Sequence, residues 1–192
     1  MSKGNVAELA ELLRRAGITA GTAEAVMEID AVLQRWRRRA LRRELGHRAL
    51  IDLGIGIELA QFDVLAAIEG PEFEADGAET MVGTVAERLN IDPSRASRLV
   101  SDMVEQGFAR RAVSQADGRR AIIELTARGR AVVDAVRAYK YLIMGDFLGE
   151  WDQAELDRFV PLLKRFASWV DGIEPAAEKF SGEIEALSKG LG

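Results

Sequence analysis

Apolar side chains along most of this chain recur at spacings of three and four, the mark of helices that bury one face. A short candidate helix carries Val6, Leu9, Leu13 and Ala16, with Gly17 just after it as a stop signal. From about Thr22 to Gly46 the seam is Val26, Ile29, Leu33, Trp36 and Ala40, alternating as in a coiled coil, while Arg35, Arg38, Arg39 and Arg42 cover the remaining face. A further helix, about Leu59 to Glu69, buries Phe62, Leu65 and Ala66 and ends at Gly70-Pro71. Glu72 to Glu79 then reads as an acidic connector.

The C-terminal third returns to the same rhythm. Val133, Val136, Lys140, Ile143 and Phe147 follow Thr126 as N-cap, and Leu156, Phe159, Leu163, Phe166 and Val170 follow Asp152 and Glu155, spaced as a capping box. Pro161 inside that run is expected to kink the helix or shift its start. A last amphipathic segment, Ala177, Phe180, Ile184 and Leu187, comes after Pro175. Seams at both ends exceed what one small core needs. They are expected to bury their faces against a second subunit, an intramolecular bundle being the alternative.

Residues 81–130 break this uniformity. A short helix with Val82, Val85, Ala86 and Leu89 inward leads through Asn90-Ile91-Asp92 to a second helix, with Asp92 as N-cap and Pro93 at the first helical position. Ala96, Leu99, Val100, Met103 and Val104 form its buried stripe, and Gly107 ends it. The opposite face presents Ser94, Arg95, Ser97, Arg98, Ser101 and Asp102, with no apolar side chain to pack. Two helices joined by such a turn, the second small and cationic outside, describe a helix-turn-helix. After Gly107 the period changes to two, over 108–113 and 122–125, around the turn-forming Ser-Gln-Ala-Asp-Gly-Arg-Arg. That is a β-hairpin with a basic tip, a wing. Arg donates two hydrogen bonds to guanine, Ser reaches base edges or phosphates without bulk, and an Arg at a wing tip suits a narrow, electronegative minor groove.

Composition narrows the reading. The 192 residues contain no Cys and one His, which excludes disulfides, thiol chemistry and thiolate zinc sites and leaves little room for any metal. No stretch approaches the apolar length of a membrane span and the first residues do not read as a signal peptide, so a cytoplasmic protein is expected, with no membrane partner and no cofactor. The net charge of −5 conceals two basic islands: residues 35–48 hold seven basic side chains to one acidic, and residues 81–130 nine to six. Residues 49–80 hold eight acidic and no basic side chains. Local sign steers a polyanion more than net sign, because screening confines each charge to about a Debye length. No nucleophile elbow, phosphate-cradling loop or metal-ligand spacing supports an enzyme.

The order Leu59-Ala60-Gln61-Phe62-Asp63-Val64-Leu65, Thr84-Val85-Ala86-Glu87-Arg88-Leu89, Ser94-Arg95-Ala96-Ser97-Arg98-Leu99-Val100, Gly107 to Arg111, Asp117-Gly118-Arg119 and Leu125-Thr126 with Gly129 resembles the MarR family of winged-helix transcriptional regulators. The resemblance spans about residues 25–170 and is densest over 57–130. It implies a mainly α fold with a small β-hairpin wing (α+β): N-terminal helices of a dimerisation region over 1–51, a winged helix-turn-helix over 52–126, and C-terminal helices of the dimerisation region over 127–192. It also implies a homodimer on a pseudo-palindromic operator in double-stranded DNA, acting as a repressor and released by a small, aromatic, anionic effector. Carried over, Ser94, Arg95, Ser97, Arg98 and Ser101 lie on the recognition helix, Arg119 is the wing arginine braced by Asp117, and Arg111 and Arg120 join the DNA-contacting set. Trp36 and Arg39 could line the family pocket, with Asp63 and Arg98, near positions used by urate-responsive members, as further ligand candidates. Arg110 or Arg111 stands near such a position too, but residues 6–16 lack a Trp to complete that set. The competing use of such a fold is protein assembly without DNA. The outermost helical segments and Pro161 depart from the family pattern.

Overall fold

The computed structural model describes residues 3–70, 79–114 and 116–191, without the side chains of residues 3–6 and 39–42. In chain order its elements are α1 (Lys3–Arg15), α2 (Ala20–Arg42), α3 (Glu44–Asp52), α4 (Leu59–Glu69), α5 (Val82–Leu89), α6 (Pro93–Glu105), β1 (Ala109–Val113), β2 (Ala121–Leu125), α7 (Ala127–Leu148), α8 (Gln153–Ala167), a 3-10 turn (Ser168–Gly172), α9 (Ile173–Lys179) and α10 (Ser181–Lys189). The fold is mostly helical with one antiparallel hairpin among the described residues, β1 on β2, in the register Ala109↔Leu125 to Val113↔Ala121. The expected acidic connector falls largely on 71–78, outside the described residues. Two compact units emerge: Arg43–Phe147, and a second that joins the N-terminal residues through Arg42 to those from Leu148 onward.

The first unit is built around α4. The sequence suggested one buried face there, Phe62, Leu65 and Ala66. Instead Phe62, Val64, Leu65, Ala67 and Ile68 are buried and Ala66 is half-buried, because α4 packs against α3, α5, α6 and β2 and so is enclosed on most sides. Leu65, Met103, Val64, Val85, Val100 and Val136 are the largest fully buried side chains. Each is worth about 1.5–3 kcal/mol of transfer free energy relative to exposure. Thr126 does cap α7: its Oγ1 accepts from Gly129 N–H at 3.1 Å and also reaches the Gly107 and Phe108 carbonyls at 2.8 and 3.1 Å. Helix and strand approach so closely here that a Cβ at position 129 would lie 2.0 Å from the Phe108 carbonyl oxygen, so only glycine fits.

The sequence seam from Thr22 to Gly46 is not one helix. α2 ends at Arg42, Arg43 turns left-handed at φ 51, and α3 follows, an element the periodicity left unassigned. The cost of a positive φ is offset by tertiary contacts: the Arg43 guanidinium donates to both carboxylate oxygens of Asp63 on α4, and the break carries Ala49 and Leu50 into the core. His47 is exposed inside α3.

In the second unit α1 packs on α2, Leu9, Leu12 and Leu13 of α1 are half-buried, and Ala23 is the one buried residue among those described. α8 opens on the anticipated Asp152–Glu155 capping box and runs unshifted through Pro161. Trp151 meets Phe159 edge-to-face at 5.1 Å between ring centroids. The single amphipathic segment expected after Pro175 is two helices, divided at Phe180. Pro175 is tolerated in the first turn of α9, where its missing N–H has no intrahelical partner to lose. No helix among the described residues is long and apolar enough to cross a membrane.

Candidate nucleic-acid interface

α5 and α6 meet through the turn at Asn90, which adopts φ 49 and closes α5. Asp92 then caps α6 as its sequence position required, its carboxylate accepting from the backbone N–H groups of Ser94 at 2.8 Å and Arg95 at 3.3 Å. The Ser94 hydroxyl donates to the same oxygen. These bonds, the Ser94 hydroxyl foremost, hold the Asp92 carboxyl below its ordinary value of 3.8. Ala96, Val100 and Met103 are buried and Leu99 and Val104 half-buried, so the predicted stripe is the packed one.

The opposite face is what remains outside. Ser94, Arg95, Ser97 and Arg98 are exposed and Ser101 is half-buried. Arg98 Nε lies 3.4 Å from the Ser94 carbonyl. From β1, Arg111 Nη2 donates to Ser101 Oγ at 3.2 Å, tying the helix to the wing. Arg110 spans the hairpin to Glu124 on β2, with Nε and Nη2 at 2.9 and 2.7 Å from one carboxylate oxygen. At the wing tip Arg119 and Arg120 are exposed, and Asp117 Oδ1 accepts from the Arg119 backbone N–H at 3.0 Å. Asp117 therefore braces the turn that carries Arg119.

One contributor escaped the sequence reading. Ser114 is buried, and its Oγ accepts from the backbone N–H groups of Ala116 and Asp117 at 3.1 and 2.9 Å, while its own N–H bonds the Arg120 carbonyl at 2.9 Å. The signal was present as a Ser opening a loop that ends Asp-Gly, since Ser hydroxyls cap such turns. Thr80 was missed as well: buried, it donates from Oγ1 to the Ile68 carbonyl at 3.1 Å and offers its own carbonyl to Ile123 N–H at 2.8 Å. Together with Arg88, whose Nη1 reaches the Ala67 carbonyl at 2.6 Å, it holds α5 to α4 behind the interface.

The ligand candidates fall in two different units of the chain. Asp63 is engaged by Arg43, Arg98 lies on the outer face of α6, and Trp36 is exposed on α2 in the other unit. The Arg39 side chain lies outside the described residues. A separate cavity of about 450 Å³ is lined by His47, Leu50, Ile51, Ile55, Ile57, Glu58, Leu59 and Ala60, none of them a sequence candidate.

Comparison with known proteins places this geometry. No curated protein matches the chain. Among solved structures, a MarR family protein from Bacillus stearothermophilus is similar with TM-score 0.64 and 18% identity, over 77% of this chain and 96% of that one. A MarR family transcription regulator designated SP03579 is similar with TM-score 0.61 and 18% identity, over 82% and 99%. S. aureus MepR bound to ethidium bromide gives 0.53 and 18%, over 70% and 94%. At such identities the likeness speaks for the fold. The MarR family model matches residues 55–120, the stretch holding α4, α5, α6, β1 and the wing tip, so over this segment the resemblance read from the sequence is borne out.

Proposed function

We propose that the protein is a sequence-specific, DNA-binding transcriptional regulator, a repressor that sits as a homodimer on a pseudo-palindromic operator. The observation that carries the reading is the outer face of α6. It is a fully formed, capped helix whose first half exposes the small hydroxyls and arginines Ser94, Arg95, Ser97 and Arg98, with Asp102 and Glu105 exposed only further along, next to a wing that ends in Arg119 and Arg120. Such a helix fits the major groove, where the base-edge code is unambiguous, and such a wing tip fits phosphates and the minor groove. A winged helix used only for assembly would present apolar or acidic side chains there. Release by a small molecule belongs to the same proposal. MepR has been solved with ethidium bromide bound, which supports a small-molecule response in this fold without naming the effector of this chain.

The test is a salt titration on an operator recovered by genomic-fragment selection and on a scrambled duplex. Arg95→Ala and Arg98→Ala each lose about 1–3 kcal/mol on the operator and narrow the gap to scrambled DNA. Arg119→Ala weakens both duplexes alike and flattens the salt slope. Unchanged affinity in all three variants overturns the assignment.

A further inference from the structure

The exit of α6 and the entry of α7 are fastened to each other, although 19 to 22 residues separate the bonded groups. The carbonyls of Gln106, Gly107 and Phe108 lie beyond the last turn of α6, where a helix leaves acceptors without partners. Residues at the start of α7 take all three. Arg128 Nη1 donates to the Gln106 carbonyl at 2.9 Å, Thr126 Oγ1 to that of Gly107 at 2.8 Å, and the Thr126 backbone N–H to that of Phe108 at 3.0 Å. The Arg128 guanidinium also lies over the ring of buried Phe108, 4.1 Å from its centroid. This cation–π contact adds to the attraction of a cation for the carbonyl end of a helix. Gly129, the next residue, leaves no slack, since any side chain there would meet the Phe108 carbonyl. By charge alone Arg128 belongs to the basic island of residues 81–130 and would be counted among the DNA contacts. Its guanidinium is instead engaged at the joint.

We infer that Arg128 is a positioning residue for DNA recognition: it fixes the direction of α6 against α7, and so the separation at which two copies present their recognition helices, without touching DNA itself. The lever is long. Ser94 lies at the far end of α6, about 18 Å from Gln106 at 1.5 Å per residue. A tilt of about 5° at the joint moves that end by about 1.5 Å, enough to break hydrogen bonds to base edges. Two half-sites a helical turn apart must meet both recognition helices at once, so a joint that yields tolerates an altered spacing and a joint that holds does not. The inference rests on the reading of the protein as a homodimeric DNA-binding regulator, with the helices from residue 127 onward in the dimerisation region. It adds which side chain keys the recognition helix to that region.

The test compares the full-length protein with Arg128→Ala and Thr126→Val on three duplexes: the selected operator, the operator with one base pair inserted between its half-sites, and a scrambled sequence. Arg128 is exposed, so its replacement leaves the fold standing. Thr126→Val loosens the same joint without removing a charge. Arg128→Ala is expected to weaken operator binding roughly tenfold, to leave the scrambled duplex and the salt slope unchanged, and to shrink the penalty for the inserted base pair severalfold. Thr126→Val should shrink that penalty too. Equal losses on operator and scrambled DNA with a salt slope lower by about one ion would make Arg128 a phosphate contact and overturn the positioning role. Weaker operator binding with the insertion penalty intact, or no change on any duplex, overturns it as well. A wild-type protein that does not distinguish operator from scrambled DNA removes the regulator reading itself, and this inference with it.

Discussion

The unit from Arg43 to Phe147 and the unit made of the two chain ends use apolar residues in opposite ways. In the first, α4 is enclosed by its neighbours and six large side chains are wholly out of water. In the second, the same three-and-four periodicity leaves Leu162, Leu163, Trp169, Val170, Ile173, Ile184 and Leu187 exposed, and the one buried described residue is Ala23. Periodicity reports that a face will be covered. It does not report by what.

That contrast can be broken at its strongest point first. Leu65→Ala removes a fully buried side chain at the centre of the first unit, and urea denaturation should show a loss of about 2–5 kcal/mol. A loss below about 1 kcal/mol would mean that α4 is not the core element described. A smaller effect is expected at the cap of α6. The folded Asp92 carboxyl titrates below its ordinary value of 3.8, so the stability it contributes is fully present above that value and is lost as pH falls through the depressed folded value. Asp92→Asn, which keeps the cap without the charge, should melt with a shallower pH dependence on the acid side, and parallel melting profiles for the two proteins would discount the cap. The smallest effect on folding is expected in the other unit. Leu163→Glu, at a half-exposed site on α8, should change the unfolding free energy of the first unit by no more than about 0.5 kcal/mol. It should nonetheless shift light scattering toward the monomer, and an unchanged mass would show that α8 is not part of a subunit contact.

Much of the winged helix was legible because its signals are local. Asp92 and Pro93 start α6, Gly107 ends it at φ 75, and the Asp-Gly tip closes the hairpin, each through the chemistry of one or two residues. Where a long-range contact decided, the pattern misled. The helix expected through Gly46 breaks at Arg43 because Asp63, twenty residues on, holds its side chain. Strict alternation fails in β2, where neighbouring Ile122 and Ile123 are both buried. Ser114 and Thr80, small polar residues without periodicity, gained their importance only from the backbone groups the fold brought to them.

By itself, then, the sequence determined the helical rhythm, the caps and stops, the cationic outer face of α6 and the basic wing tip, since all follow from neighbours within a few positions. The tertiary structure decided where α2 yields to α3, that α4 is buried nearly all round, and that position 129 tolerates nothing larger than glycine beside the Phe108 carbonyl. Those outcomes depend on which distant groups come within a few ångströms, and the close packing of the whole unit, rather than neighbours in sequence, sets that distance.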